Sequence, residues 1–250
     1  MSYHIISDLH IEKFYPVVPD PKKLIPTNAK NLILAGDVGR VELWDQYLSF
    51  MKRCCELFDS VILIPGNHEF YSKDNSTNMG IIQSKLEYIQ TLLPNFKYLN
   101  DDIIVFKRER WILFGSCFWS YIPDKYFMIN YPIFDNTGNL ISCSEWNRLH
   151  FNSRKKLEEA TLLSKYTHFP LKVVTHFAPT FKGTLDVKYG EKENPKNFYY
   201  CSESERYLKS GDVDVWAYGH TGYNNDFYLG DTKVISNQMN KKRYDPQKTL

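Results

Sequence analysis

The sequence predicts an α/β fold built on a parallel sheet, and three observations support this prediction. Three short aliphatic runs begin about 30 residues apart, which is the spacing of successive strand–helix–strand units. The stretch between the second and third runs repeats its apolar residues every three or four positions, as an amphipathic helix does. A second stretch with this period ends before Pro94. The predicted elements are strands at Tyr3–Ser7, Asn31–Ala35 and Val61–Ile64 and helices at Val41–Phe58 and Asn78–Leu93.

The second half of the chain predicts further strands and two long irregular segments. The charged turn Arg108–Arg110 separates two apolar runs, which is typical of a hairpin. Residues 121–144 and 177–200 have no clear period, and loops of this length are usually functional or mobile. We expect one domain over residues 1–250, of which 241–250 form a polar tail. The remaining predictions are strands at Asp102–Lys107, Trp111–Phe118, Leu171–Thr175, Val213–Tyr218, Asp226–Leu229 and Thr232–Ser236 and helices at Glu145–Tyr166 and Ser202–Lys209.

Composition and charge exclude several classes of protein. The 250 residues carry 31 Lys and Arg against 29 Asp and Glu, so neither a polybasic arm nor an acidic tail is the main feature. Hydrophobic residues make up 43%, which is too many for a disordered chain. We expect no secretory leader and no membrane span, because the first strand begins almost at once and every apolar run is short. Five cysteines without a metal-binding spacing indicate a reduced, cytoplasmic protein.

Residues able to bind a metal follow the predicted strands. The carboxyl ends of the strands in an open α/β sheet line one crevice, so residues distant in sequence are expected to meet there. Their oxygen and imidazole donors, without thiolate, suit manganese, iron or zinc. Glycines at three of these strand ends allow a tight turn and a close backbone approach. The metal-capable residues are Asp8, His10, Asp37, Asn67, His68, His176 and His220, and the glycines are Gly36, Gly66 and Gly219.

Such a set of side chains predicts hydrolysis of a phosphate ester. If Asp37 bridges two cations, two metals ~3.5–4 Å apart can bind a phosphate, lower the pKa of a water molecule and stabilise an in-line displacement. The leaving alkoxide needs a proton. His68, beside Asn67, is placed to donate it as a general acid, an effect worth roughly 10²–10⁴-fold.

The order of these motifs resembles that of the calcineurin-like metallophosphoesterase superfamily, and in particular its small cytosolic phosphoesterase branch. The motifs are Asp8-Leu9-His10, Gly36-Asp37, Gly66-Asn67-His68-Glu69, Thr175-His176 and Gly219-His220-Thr221-Gly222, within a resemblance that spans residues 3–237. The resemblance implies a four-layer α/β/β/α sandwich with two divalent metal ions. It also implies that Asp8, His10 and Asp37 hold the first metal, that Asp37, Asn67, His176 and His220 hold the second, and that His68 is catalytic.

One position departs from this pattern. Gly222 stands where the family has a second histidine that binds the first metal. Loss of a group that only orients a ligand already lowers metal affinity roughly 10–100-fold, so loss of a ligand should weaken the first site at least as much. The chain therefore holds two metals or one only. A water molecule, Asn224, Asn225 or Asp226 is the candidate replacement.

Two functions from different classes remain open. The ligand set and His68 favour a metal-dependent phosphodiesterase that hydrolyses a small phosphate ester or a nucleotide. Gly222 instead favours a non-catalytic protein-binding scaffold of the same fold. A nuclease would need a broad basic groove, which the sequence does not show, so we do not expect nucleic acid as a partner.

Several other residues have a functional and an ordinary interpretation. Arg40 either contacts phosphate or is a solvated charge at a helix start. Glu69 either orients the site or is a satisfied loop carboxylate. A set of five aromatic residues either stacks a base above the metals or packs in the interior, and packing is the simpler role. The aromatic residues are Phe118, Trp119, Tyr121, Tyr199 and Tyr200, and the histidines expected in the core or on the surface are His4, His150 and His168.

Overall fold

The computed structural model describes residues 2–128, 132–239 and 241–250. These residues contain ten strands and five α-helices. The strands are β1 (His4–Ile6), β2 (Asn31–Ala35), β3 (Ser60–Ile64), β4 (Phe96–Tyr98), β5 (Asp102–Phe106), β6 (Trp111–Ser116), β7 (Leu171–Thr175), β8 (Val215–Tyr218), β9 (Phe227–Leu229) and β10 (Thr232–Ser236). The helices are α1 (Pro21–Leu24), α2 (Trp44–Leu57), α3 (Met79–Leu92), α4 (Cys143–Thr167) and α5 (Glu205–Lys209). Residues 129–131, within the first predicted irregular segment, lie outside the described residues.

The first sheet is parallel throughout, with the strand order β1-β2-β3-β4. Its first three strands and helices α2 and α3 confirm the predicted elements, with small differences at their ends. Asn78 begins α3 as predicted, because its side chain accepts a hydrogen bond from the Ile81 amide at 3.1 Å. Strand β4 was not predicted. It has only three residues, and the exposed Lys97 in its middle gives no alternation long enough to recognise.

The second sheet has the order β5-β6-β7-β8-β10-β9 and mixed strand directions. Strands β5 and β6 form the predicted antiparallel hairpin, and β9 pairs antiparallel with β10. The four strands between these edges, β6, β7, β8 and β10, run parallel to one another. Their carboxyl ends therefore lie at the same side of the sheet.

Three apolar clusters divide the molecule into four layers. Successive strand residues point to opposite faces of a sheet. In β2, Leu34 packs with helices α2 and α3, whereas Ala35 packs between the two sheets. In β7, Val174 joins this inter-sheet cluster, whereas Val173 packs with Leu157 of α4. The α/β/β/α sandwich implied by the resemblance is therefore confirmed.

Helix α4 begins two residues before its predicted start. Ser142 precedes it, and the Ser142 hydroxyl accepts a hydrogen bond from the Glu145 amide at 3.1 Å. This cap satisfies one of the amides that have no partner within the first turn of a helix.

No helix among residues 2–128, 132–239 and 241–250 is long and apolar enough to cross a membrane.

The last residues of the chain, predicted as a polar tail, lie along β1. The Lys248 carbonyl accepts a hydrogen bond from the Ile5 amide at 3.1 Å, and the Leu250 amide donates to the Tyr3 carbonyl at 2.9 Å. The Leu250 side chain also packs against the inter-sheet cluster. The segment is thus bonded to the first sheet.

Candidate metal centre

The metal-capable residues meet where the strands of both sheets end. Asp8, Asp37 and Asn67 follow strands of the first sheet, and His176 and His220 follow strands of the second. Two groups made only of predicted ligands place one possible ligand atom of each member within 4.8 Å of the others, and a third such group combines His10 and His68 with Glu12. Asn67 adjoins the second group, because its Oδ1 lies 3.1 Å from His176 Nε2. The first group of predicted ligands is Asp8, His10 and Asp37, and the second group is Asp37, His176 and His220.

Four of these residues have a backbone conformation that L-amino acids rarely adopt. The φ angles of Asp8, His10, Asp37 and His220 are 61°, 51°, 53° and 68°. A left-handed backbone costs a non-glycine residue roughly 1–3 kcal/mol, and such strain clusters at functional sites. These four residues all line one cavity. The strain therefore accompanies a sharp turn that brings their side chains to a common space.

Gly36 and Gly66 allow two loops to approach the centre closely. A Cβ atom at Gly36, whose φ is +87°, would lie 2.3 Å from His176 Nδ1. A Cβ atom at Gly66 would lie 2.3 Å from Asp37 Oδ1. Real Cβ atoms do not come within 3.0 Å of such neighbours. The prediction that glycine makes room at these strand ends is confirmed.

Asp37 lies at the centre of the site and belongs to both groups. Its side chain is buried, and its Oδ1 lies 3.1 Å from His176 Nε2 and accepts a hydrogen bond from the His68 amide at 2.8 Å. Burial alone would raise the pKa of Asp37, but the imidazoles of His176 and His68 outweigh it and lower that pKa far below its usual range. An anionic carboxylate shared by both groups can offer an oxygen atom to each of them.

Main-chain carbonyls orient the two histidines of the second group. His176 Nδ1 lies 2.9 Å from the Ala35 carbonyl, so its Nε2 faces Asp37. His220 Nε2 lies 3.0 Å from the Tyr199 carbonyl, so Nδ1 is the nitrogen available to a metal. Burial disfavours a proton on His176, but Asp37 outweighs it and raises the pKa of His176 to about 9. Metal binding at this histidine would release its proton.

The donor set fits divalent metal ions. Carboxylate and amide oxygens and imidazole nitrogens converge on the cavity, and thiolates take no part, which suits manganese, iron or zinc. Each ring nitrogen that bonds to a carbonyl leaves the other nitrogen fixed towards the centre, as in metal sites generally. The first group offers three such side chains, and the second group together with Asn67 offers four.

Glu69 holds the loops that carry two of these side chains. It is buried, and its carboxylate accepts hydrogen bonds from the amides of Asp37, Val38 and Gly39 after β2 at 2.9, 2.8 and 3.2 Å. It also accepts one from the Gly66 amide after β3 at 2.7 Å. Burial and the nearby Asp37 raise the pKa of Glu69 to about 7. Of its two interpretations, the orienting role is the one that these contacts favour.

Glu12 is a residue of the site that sequence reasoning missed. Its Oε1 lies 3.2 Å from His10 Nδ1 and 2.9 Å from His68 Nδ1, so one carboxylate binds both rings. Burial would raise the pKa of Glu12, but the hydrogen bonds with His10 and His68 outweigh it and lower that pKa to about 2. The available signal was an acidic residue two positions after His10, in the short 3₁₀ turn Ile11–Phe14.

The side chains considered as substitutes for a ligand at Gly222 are engaged elsewhere. Asn224 hydrogen-bonds the main chain after β10 at 2.6 and 3.0 Å. Asn225 donates to the main chain of another loop at 2.9 Å, and Asp226 forms an ion pair with Lys248 at 2.8 Å. None of the three belongs to the described residues that line the cavity. They are therefore not replacements for the ligand.

A cavity of about 280 Å³ opens beside the two groups. Metal-capable side chains form part of its lining, and apolar side chains form most of the rest. The apolar wall comes mainly from the two long irregular segments and α4. Lys241 is the only lysine or arginine among the described residues that line the cavity. The apolar wall consists of Phe127, Met128, Ile133, Ile141, Trp146, Phe177, Tyr199 and Tyr200.

The structure also decides between the functional and the ordinary interpretation of the other residues considered in the sequence. Phe118 and Trp119 are buried in the core, as the packing interpretation expected, whereas Tyr199 and Tyr200 line the cavity. Arg40 pairs with a glutamate at 3.1 Å and does not line the cavity, which favours the ordinary charge. His4 and His150 are buried, and His168 ends α4.

Comparison with solved structures shows the same fold in other proteins. Phosphopantetheinyl hydrolase from Mycobacterium tuberculosis superposes with a TM-score of 0.64 at 15% identity, over 100% of this chain and 95% of that chain. A protein of Thermus thermophilus superposes with a TM-score of 0.58 at 12% identity, over 95% of this chain and 89% of that chain. At these identities the likeness shows the fold alone. No curated protein matches the sequence.

The sequence model of the calcineurin-like phosphoesterases matches residues 1–224. This range covers most of the chain and includes both groups of metal-capable side chains, Asn67 and His68. The chain therefore belongs to the calcineurin-like phosphoesterase family and is a metal-dependent hydrolase of phosphate esters.

Proposed function

We propose that the protein is a phosphodiesterase that hydrolyses a small phosphate ester or nucleotide at two neighbouring divalent metal sites. The observation that carries this proposal is the buried Asp37, which both groups share. When bound, the ions supply an activated water and positive charge that stabilises an in-line displacement. In this proposal Asp8, His10 and Asp37 hold one ion, and Asp37, Asn67, His176 and His220 hold the other.

His68 is the proposed general acid. Its Nδ1 is bonded to Glu12, and its Nε2 lies 3.8 Å from Asp37 Oδ2 at the cavity. Burial disfavours the charged imidazole, but the carboxylates of Asp37 and Glu12 outweigh it and raise the pKa of His68 above its usual value. A protonated Nε2 facing the cavity is what transfer of a proton to a leaving alkoxide requires.

The apolar wall suits the organic part of a small ester. Aromatic rings such as Trp146 and Tyr200 offer faces or edges to a planar group, and aliphatic neighbours exclude water from it. A di- or triphosphate would need several cationic side chains. Among the described residues that line the cavity, Lys241 is the only lysine or arginine. These features favour an ester with one phosphate and an uncharged organic arm.

The proposal is tested with the purified protein loaded with manganese. We expect hydrolysis of bis-p-nitrophenyl phosphate that depends on the metal and exceeds hydrolysis of p-nitrophenyl phosphate. Asp37→Asn and His68→Ala should each lower kcat by roughly 100-fold or more, because they remove the bridge and the proton donor. Asp231→Asn, in an exposed turn outside the cavity, is the matched control and should behave as wild type.

Three results would reject parts of this proposal. Absence of metal-dependent hydrolysis of the diester in the wild type rejects the proposed phosphodiesterase, and equal rates in the wild type and in Asp37→Asn or His68→Ala reject the assigned roles. Preference for the monoester rejects the diesterase.

The non-catalytic scaffold that Gly222 favoured in the sequence is set aside, because the family match makes the chain a metal-dependent hydrolase. Gly222 still leaves the first group with only three metal-capable side chains. Metal analysis tests the proposed centre. We expect at least one manganese ion per chain after supplementation, and a metal content near zero would contradict the centre.

All five cysteines are free, which supports the proposed reduced, cytoplasmic compartment.

A further inference from the structure

The side chain of Lys241 lies beside Gly222. A Cβ atom built on Gly222 would lie 3.7 Å from Lys241 Cε and 3.8 Å from its Nζ, which is ordinary van der Waals contact. Both residues line the cavity together with Asp8 and His10. The lysine ammonium therefore lies in the region into which a side chain at position 222 would project.

Hydrogen bonds tie the loop of Gly222 to the segment of Lys241. The Gln238 side chain accepts from the Gly222 amide at 2.6 Å and donates to the Thr221 hydroxyl at 3.0 Å. The main chain then turns at Lys241, whose carbonyl accepts from the Tyr244 amide at 3.1 Å. On its other side, the Lys241 amide donates to the Gln238 carbonyl at 3.4 Å. These bonds hold the main chain of Lys241 close to the loop of Gly222.

The Lys241 ammonium makes no ion pair or hydrogen bond with any residue in the described part of the chain. Its neighbours in the same segment differ, since Lys248 pairs with Asp226 at 2.8 Å and Arg243 donates to Asn225 at 2.7 Å. A cation that lines a cavity and has no partner among the described residues is available to an anion. Next to divalent metals such a cation would be repelled, unless an anion lay between them.

We propose that Lys241 binds a non-bridging oxygen of the substrate phosphoryl group, in the space that glycine at position 222 leaves open. This inference rests on the proposed function. The loss of a side chain at Gly222 then has a second consequence besides a weaker metal site, because it admits a charge-assisted hydrogen bond to phosphate. Lys241 is the specificity residue for a ligand with one phosphate.

The test uses the full-length, manganese-loaded protein and inorganic phosphate as the probe. Calorimetry gives the Kd of phosphate, inhibition of bis-p-nitrophenyl phosphate hydrolysis gives its Ki, and elemental analysis gives the manganese content. We expect Lys241→Met to raise Kd and Ki roughly 10–100-fold, the range for loss of a hydrogen bond to a charged group, with manganese content unchanged. Lys241→Arg should keep most of the affinity, and Lys242→Met, an exposed neighbour outside the cavity, should match the wild type.

A phosphate Kd within twofold of wild type in Lys241→Met would overturn the inference. So would a loss of manganese that parallels the loss of phosphate, since Lys241 would then support the metal site. Phosphate binding is read without turnover. Lys241-dependent binding in a protein that hydrolyses nothing therefore rejects the proposed function alone, whereas hydrolysis with Lys241-independent binding rejects this inference alone.

Discussion

Glu12 joins two imidazoles to which different tasks are assigned. Its Oε1 bonds Nδ1 of His10, a proposed metal ligand, and Nδ1 of His68, the proposed general acid. The two rings lie edge to face, with centroids 4.4 Å apart. Because both Nδ1 atoms bond to this carboxylate, both Nε2 atoms point away from it. A substitution of Glu12 should therefore affect metal binding by His10 and proton transfer by His68 together.

Glu12→Gln should lower both metal affinity and kcat. An amide keeps the shape of the carboxylate but loses its charge, and its nitrogen cannot accept a hydrogen bond. We expect the Kd of manganese to rise and kcat to fall, each roughly 10–100-fold, the usual effect of losing a group that orients a metal-binding histidine. Titration calorimetry measures the first effect, and nitrogen NMR of the histidines reports their tautomers. Glu109→Gln in the exposed hairpin turn is the control; an unchanged Kd with unchanged tautomers contradicts the assigned role of Glu12.

Single residues also show where sequence reasoning stops. Asp8, Asp37 and His220 were found because each directly follows a buried strand, and a strand end fixes where the next residue lies. Glu12 and Lys241 do not directly follow a strand. Glu12 reaches the site through a short 3₁₀ turn and Lys241 through a polar segment after β10, so their positions depend on tertiary contacts that no local pattern encodes.

At the scale of elements, α4 supports the apolar wall of the cavity. His150 of α4 is buried, and its Nδ1 lies 2.6 Å from the Trp119 carbonyl. The Trp119 ring packs edge-on against Trp146, also on α4, with centroids 4.6 Å apart. Trp146 in turn lines the cavity. Burial, aided by the charge of Arg154, lowers the pKa of His150 to about 4 against the effect of the Trp119 carbonyl.

This buried histidine should make stability depend on pH. Unfolded His150 takes up a proton below about pH 6.5, whereas the folded protein does so only near pH 4. The unfolded state therefore binds more protons between these values, and the stabilisation present above pH 6.5 is lost as the pH falls to about 4. The loss is on the order of 3 kcal/mol. Urea unfolding of wild type and His150→Gln from pH 7 to pH 4 measures it, because other titrating groups cancel in the difference. A difference that does not vary with pH contradicts the prediction.

Elements were predictable in proportion to their length and regularity. Strand β2 and helix α3 have a strong period and a clear boundary, and both were found at nearly their observed ends. Strand β4 has three residues, and helix α1 has four, so neither offers a pattern long enough to read. The positions of the two irregular segments in the sequence could be predicted, but their conformations could not. Their contribution to the cavity wall depends on packing across the sheets.

At the scale of the whole molecule, the candidate centre joins the two sheets. Asp37 belongs to the first sheet and His176 to the second, and their side chains meet at 3.1 Å. Any ion held by both groups of side chains would therefore link elements that are otherwise joined by apolar packing. A ligand that binds only this folded arrangement stabilises it.

Metal removal should accordingly lower the melting temperature. Free manganese at 100 times its Kd stabilises the folded state by about 2.7 kcal/mol. For a protein of this size the corresponding rise in Tm is roughly 5–11 °C. Calorimetry with manganese and with a chelator measures this shift, and Asp37→Asn should show little or none of it. An equal shift in that variant, or none in the wild type, contradicts the proposed centre.

The hydrogen bonds between Lys248–Leu250 and β1 have a consequence beyond the site. Strand β1 is the outermost strand of its sheet and would otherwise present unpaired amides and carbonyls to a second molecule. The last three residues satisfy part of that row, with Thr249 opposite His4 in an antiparallel bridge. This short segment thereby covers part of a strand edge that could otherwise pair with the edge of another sheet, although none of its residues belongs to the metal centre.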